Sequence, residues 1–198
     1  MDNDVVVVPL AEEDLEVVRP ALEAVREKDF TEEAVALSDL SSEPDDPAWA
    51  GRFVARARGI AIGYISGEKD SMYGAHVARV CENPGDLAVA SLLYVWDQQQ
   101  SDVATALMTK LADHLIKEGC AYLTLSINGN LNRKTPAVPD AFDREARTRF
   151  VTRRCDLVIL SQGENPVVAG GPLRRLHHRL SSRSYATTRR SPGSLSGL

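Results

Sequence analysis

Residues 87–127 constrain the fold more than any other stretch of the chain. Leu87 to Trp96 is an almost unbroken apolar run, which reads as a central strand buried on both faces. DQQQSD at 97–102 is a polar loop. VATALMTKLADHLIKEG then sets Val103, Leu107, Leu111 and Leu115 on one stripe at i+4 spacing, with Gly119 just past the end as a cap. Cys120 to Ile127 alternates apolar and polar residues, as a strand does. Strand, loop, amphipathic helix and strand make a βαβ unit. The amino end of such a helix offers unpaired N–H groups and a positive dipole end, so the loop before it is able to hold a pyrophosphate. Composition alone leaves that role open beside plain βαβ packing.

The flanking sequence supplies further elements. Val5 to Val8, ended by Pro9, reads as a short strand, and the acids at 12–14 open a helix carrying Leu15, Val18, Leu22 and Val25. Pro20 either kinks that helix or starts a second one. SSEPDDPA at 41–48 reads as loop. Arg52–Arg56 and Ile60–Ser66 are two strands joined by Arg58-Gly59, an antiparallel hairpin. Residues 67–86 are polar and irregular, with His76–Val80 a possible edge strand. After a loop at 128–139 come a charged, weakly helical stretch at 140–154 and a last strand at Asp156–Ser161.

At 198 residues and 43% apolar composition, the chain can fill one core of ordinary size. No window approaches 18 consecutive apolar residues, and MDNDVVVVPL is acidic where a signal peptide would be basic, so the cytoplasm is the expected address and no membrane contact is expected. Cys81, Cys120 and Cys155 lack metal or disulfide spacing and read as buried apolar residues. The net charge of −5 hides an asymmetry: no Asp or Glu follows Glu164 and six arginines lie from Arg174 onward, so residues 1–173 carry −11. Nucleic-acid binding is therefore expected only through the tail, if at all. The domain is expected over residues 4–161, with 162–198 a basic Arg/Ser-rich tail, helix-like at 173–180 and disordered from 181.

Three segments carry a resemblance. LYVWDQQQSDVATALMTKLADHLIKEGCAYLTLSI at 93–127 resembles the central signature of the GNAT superfamily of N-acetyltransferases, a strand followed by Q/R-x-x-G-x-G/A and a helix. FVARARGIAIGYISG at 53–67 is similar to that family's hairpin, and VVPLAEEDLEVV at 7–18 to its first strand and helix. Together they span about three quarters of the chain in the family's order. The resemblance implies an α/β (α+β) fold with a mixed, largely antiparallel central sheet flanked by helices on both faces. It further implies acetyl-CoA or another acyl-CoA as cosubstrate, an amine of a small molecule or peptide as acceptor, and a possible homodimer.

The same resemblance assigns cofactor positions. Gln99 stands at the first Q/R, Asp102 at the middle glycine and Ala104 at the last small residue, with Gln100, Ser101 and Val103 between and beside them. Leu93 and Val95 would pair with the pantetheine arm, and Asn132 or Asn130 matches the asparagine after the fifth strand. Two positions depart from the pattern. Asp102 adds a side chain and a negative charge where phosphates should approach, and Val151, in FVTRRCD at 150–156, replaces the tyrosine proposed as general acid. Glu82 and Asp86 are candidate bases at the entrance to the central strand, and Ser91 and Tyr94 candidate hydrogen-bond donors, though solvated acids and a packed tyrosine are the plainer readings of these residues. The expected activity is acyl-CoA-dependent N-acyl transfer. The alternatives are a catalytically degenerate module that binds a protein partner, and a GNAT fold turned to another reaction.

Overall fold

A computed structural model describes residues 5–29, 51–95, 101–127, 144–161 and 167–188. The elements run β1 (Val5–Pro9), α1 (Leu15–Asp29), β2 (Arg52–Ala57), β3 (Ile60–Lys69), a one-turn α2 (Gly74–Val77), β4 (Leu87–Val95), α3 (Ser101–Lys117), β5 (Tyr122–Ile127), α4 (Arg144–Arg149), β6 (Val158–Ile159), β7 (Val167–Pro172) and α5 (Leu173–Thr188). The strands form one seven-stranded sheet in the order β1-β2-β3-β4-β5-β7-β6. Every neighbouring pair is antiparallel except β4 and β5, which α3 joins as the expected crossover.

Local chemistry accounts for much of this. Arg58 and Gly59 both take left-handed backbone angles, φ 52 and 80, which is the twist a tight hairpin turn needs between β2 and β3. α3 ends as predicted, with the Gly119 and Cys120 amides donating to the Ile116 and Leu115 carbonyls. The acids at 12–14 form a 3₁₀ turn before a single helix α1 that contains Pro20. There Asp14, almost wholly buried, accepts from the Ala11 amide and from Arg56 Nε and Nη2, the latter two at 2.8 Å. That fork fastens the head of α1 to β2.

Helices cover both faces. On one, Val103, Leu107, Leu111 and Leu115 of α3 pack with Leu173, Leu176 and Leu180 of α5 over Phe53, Ile65, Ala90 and Leu123 of the sheet. On the other, α1 buries Leu15, Val18 and Leu22 against Val54, Ala61 and Tyr64, while Val77 of α2 sits with Tyr122, Leu160 and Val168.

Four expectations change. Residue 161 does not end the fold: β7 lies between β5 and β6, paired with β5 from Tyr122↔Pro172 to Ile127↔Val167, and α5 is buried along α3. Helix α5 also runs past residue 181 to Thr188, and residues 189–198 lie outside the described residues. The His76–Val80 stretch is the end of α2 and a turn, because the Val77, Ala78 and Cys81 amides bond locally to Tyr73, Gly74 and Val77 carbonyls. Of the strand expected at Asp156–Ser161, only Val158–Ile159 is paired, at the sheet edge. Leu176→Ala should therefore cost about 2–5 kcal/mol in urea unfolding, the range for a buried leucine, where a solvated tail would show no change.

Candidate functional site

The site is built on β4. This strand follows β3 from Ala88↔Lys69 to Val95↔Gly63, but it follows β5 only from Leu87↔Tyr122 to Ala90↔Leu125. Beyond that point β5 stays with β7 and the two parallel strands part. The segment Ser91–Val95 thus presents, on its β5 side, an edge with no strand partner among the described residues. Unpaired backbone donors and acceptors on such an edge are a template for any extended chain of amides.

Ser91 marks the parting. Ser66 faces Leu92 and Gly67 faces Ala90, so Ser91 is an extra residue, a β-bulge with a partner in neither neighbouring strand. A bulge bends its strand and re-aims side chains. Ala88 and Ala90 point into the α3 face before it, Leu93 and Val95 after it, so the alternation changes phase at Ser91. Gly67 permits the bend, because a Cβ there would lie 2.8 Å from the Val89 carbonyl oxygen and 2.9 Å from Leu111 Cδ2.

The amino end of α3 follows. Ser101 opens the helix, Asp102 is exposed in its first turn, Val103 is buried and Ala104 half-buried. An aspartate there complements the helix dipole and competes with any anion for the same N–H groups. Gln99, Gln100, Asn130 and Asn132 lie outside the described residues.

Tyr94 is half-buried on the parted segment, packed against the α1 cluster. Burial raises the pKa of its hydroxyl, with the nearby Arg147 guanidinium of α4 pulling the other way, so the phenol is a proton-bearing donor at neutral pH. Val151 is 4% exposed and faces the α3 core, in a π-helical turn, Phe150–Arg154, where the Cys155 amide bonds back to the Phe150 carbonyl. Cys155 behind it is fully buried, its thiol pushed up to about 12 by desolvation.

Glu82 and Asp86 are exposed at the entrance to β4, as expected, but that is the far end of the strand from the opening. Four residues at ~3.3 Å each set Asp86 about 13 Å from the point of parting. Asp86 is also ion-paired with Lys69. His114 of α3 is half-buried edge-on to Phe53, with ring centroids 5.5 Å apart. His76 meets Tyr73 in the same manner at 6.0 Å. Among the described residues no group of three metal-ligating side chains comes together, and no helix is long and apolar enough to cross a membrane. Arg147 was not foreseen, since nothing in a charged, weakly helical stretch distinguishes one arginine from the next.

Solved structures share this architecture. FeeM, an N-acyl amino acid synthase from uncultured soil microbes, superposes with a TM-score of 0.59 over 92% of this chain and 98% of its own, at 14% identity. A GNAT-family acetyltransferase from Staphylococcus aureus Mu50 gives 0.55 over 86% and 99% at 10% identity. The chain has the GNAT fold. The PaiA N-acetyltransferase of Thermoplasma acidophilum, solved with coenzyme A, is a further GNAT-fold neighbour at 0.53 over 85% and 99%, with 12% identity. In sequence, no family model and no curated protein matches the chain. At these identities the likeness carries the fold, and the chemistry has to be argued from the residues.

Exposure and thiol pKa give a direct check on the packing behind the opening. Cys155 and Cys120 are buried with raised thiol pKa values, whereas Cys81 is half-exposed. At pH 8 a chromogenic disulfide reagent should titrate one thiol in the folded protein and all three in urea.

Proposed function

We propose that the protein is an acyl-CoA-dependent N-acyltransferase that passes an acetyl or longer acyl group to the amine of a small molecule or peptide. The observation that carries this reading is the segment of β4 from Ser91 to Val95, which has no strand partner on its β5 side among the described residues and begins at a bulge where β5 departs. The pantetheine arm is an extended chain with two amides, and the backbone of Leu93 and Val95 is placed to pair with it as a missing strand would. The first-turn N–H groups of α3, at Ser101–Ala104, face the phosphates, assisted by Gln99, Gln100 and Asn132.

The transfer needs little from the protein beyond position. The neutral amine nitrogen attacks the thioester carbonyl carbon; the C–N bond forms, the C–S bond breaks, the nitrogen loses a proton and the departing thiolate takes one up. Ser91 is the hydroxyl nearest the bend and is assigned to the carbonyl oxygen as charge develops there. Tyr94 supplies a second O–H on the acceptor side. Glu82 and Asp86 are given no direct proton transfer, for the distance stated above. FeeM's activity, the making of N-acyl amino acids, supports including amino acids among the acceptors.

Two observations favour a second reading, a module that keeps the fold and acts by binding a protein. Asp102 occupies the helix end that should hold phosphate, and the position of the usual proton donor is a core valine. The readings separate in one assay. Purified protein with acetyl-CoA or a longer acyl-CoA and a panel of amines should yield N-acyl product by mass spectrometry, above an Asp- and Glu-free buffer blank. Absence of product with every donor, together with no thermal stabilisation by millimolar CoA, would leave the binding module standing. If Asp102 shields the phosphate site, Asp102→Gly should tighten CoA binding by about tenfold or more, as removal of one charge within reach of a phosphate predicts; an unchanged affinity would place the phosphates elsewhere.

A further inference from the structure

The opening has two walls, and the hydroxyls assigned so far come from β4 alone. The last rung of the parallel ladder is Ala90↔Leu125, so the first residue beyond it is Ser91 on β4 and Ser126 on β5. A serine thus stands on each strand at the apex of the parting. Ser126 is also the one residue of β5 that is not buried, whereas Tyr122 to Leu125 and Ile127 are. Pairing with Val168 of β7 fixes its backbone where β4 no longer does.

The direction of its side chain follows from its neighbours. Leu123, Leu125 and Ile127 pack into the α3 core, so the alternation of a strand turns Ser126 to the opposite face of the sheet. The two faces differ among the described residues. One continuous core, with α3 and α5 over it, fills the first. On the face of Ser126 the buried apolar side chains form two separate clusters, one with α1 and Tyr94 and one with α2 and Tyr122.

That asymmetry bears on acyl transfer. With the phosphates at the first turn of α3 and the pantetheine arm running from Val95 back to Ser91, the thioester comes to the apex, between the two serines. An extended chain paired edge-on to a strand holds its carbonyl groups near the plane of the sheet, so each face of a carbonyl looks toward one face of the sheet. A nucleophile reaches the carbonyl carbon through such a face. Since the α3 side is core, the amine arrives from the side to which Ser126 turns. A serine hydroxyl accepts two hydrogen bonds and donates one, so a bond that Ser126 makes within the chain does not use up its capacity.

We propose that Ser126 carries the proton of the transfer step: its Oγ accepts the N–H of the attacking amine, and its own O–H passes to the departing sulfur as the C–S bond breaks. The nitrogen loses one proton, the thiolate gains one, and the serine ends as it began. This rests on the acyltransferase reading and supplies the proton path that Val151, a core residue, does not.

The test is Ser126→Ala, assayed with acetyl-CoA and a saturating amine. The value of kcat should fall on the order of a hundredfold, the lower range for loss of a proton-transfer group, with KM for acetyl-CoA little changed. Ser126→Thr, which keeps a hydroxyl, should retain most of the activity. The loss should shrink when the donor is an acetyl thioester of an aromatic thiol, measured above its uncatalysed rate, because that thiolate departs without taking a proton. A native kcat in Ser126→Ala, or the same fractional loss with both donors, overturns the proposal. Should Ser126→Ala fail to fold, the isosteric pair Ser126→Thr and Ser126→Val carries the comparison. Absence of product from the native protein with every amine defeats the acyltransferase reading and the relay together, whereas product from the native protein and from Ser126→Ala alike defeats the relay alone.

Discussion

The bulge at Ser91 and the parting of β4 from β5 are the constraint on which the rest of the structure depends. A parallel pair held together to its end would satisfy every backbone group and leave no place for a ligand chain. Here the ladder stops at Ala90↔Leu125, and β5 offers the polar groups beyond it no partner. The cost of that opening is offset by what surrounds it. β3 supports β4 from the other side up to Val95, β7 takes over β5, and the α3 stripe packs across the sheet beneath. Stability resides in the clamped regions, so that the fold does not depend on a β5 partner along residues 91–95.

The clamps are of different kinds. At the head of the domain a buried carboxylate, Asp14, is held by two guanidinium nitrogens and a backbone amide, so burial of its charge is compensated on all sides. At the other end the clamp is apolar. Leu173, Leu176 and Leu180 extend the core of α3 into a second helical layer, with Arg174, Arg175 and His178 exposed on its outer side. Residues 167–180, which look like part of a solvated tail by charge, are thus structural by packing.

What was legible in the sequence follows from how local each signal is. The β4–α3–β5 unit could be read because a helical stripe, a capping glycine and an alternating strand are each encoded within a few residues, and the Arg58-Gly59 turn likewise specifies its own hairpin. β7 was missed because Val-Val-Ala-Gly-Gly-Pro reads as a break. Gly170 is there for closeness rather than flexibility: a Cβ would lie 2.9 Å from the Leu123 carbonyl, from Leu160 Cδ1 and from Tyr122 Cε1. The leucine stripe of α5 was present at helical spacing, masked by the arginines between. The bulge was invisible, since it exists only in the register between Ser66-Gly67 and residues 90–92. For the same reason the site was half legible. The strand and the helix end were located by pattern, while the placing of Tyr94 on the parted segment, and of Glu82 and Asp86 at the far end of β4, required the fold.

The measurement that tests the central claim most directly is backbone amide exchange, residue by residue, with and without saturating acyl-CoA. If the free edge of β4 receives the pantetheine arm, slowed exchange should concentrate in residues 91–95 and in the first turn of α3, with the already paired stretch 87–90 unchanged. Protection confined to other elements, or none at millimolar ligand, would contradict the assignment of this edge as the acyl-donor site.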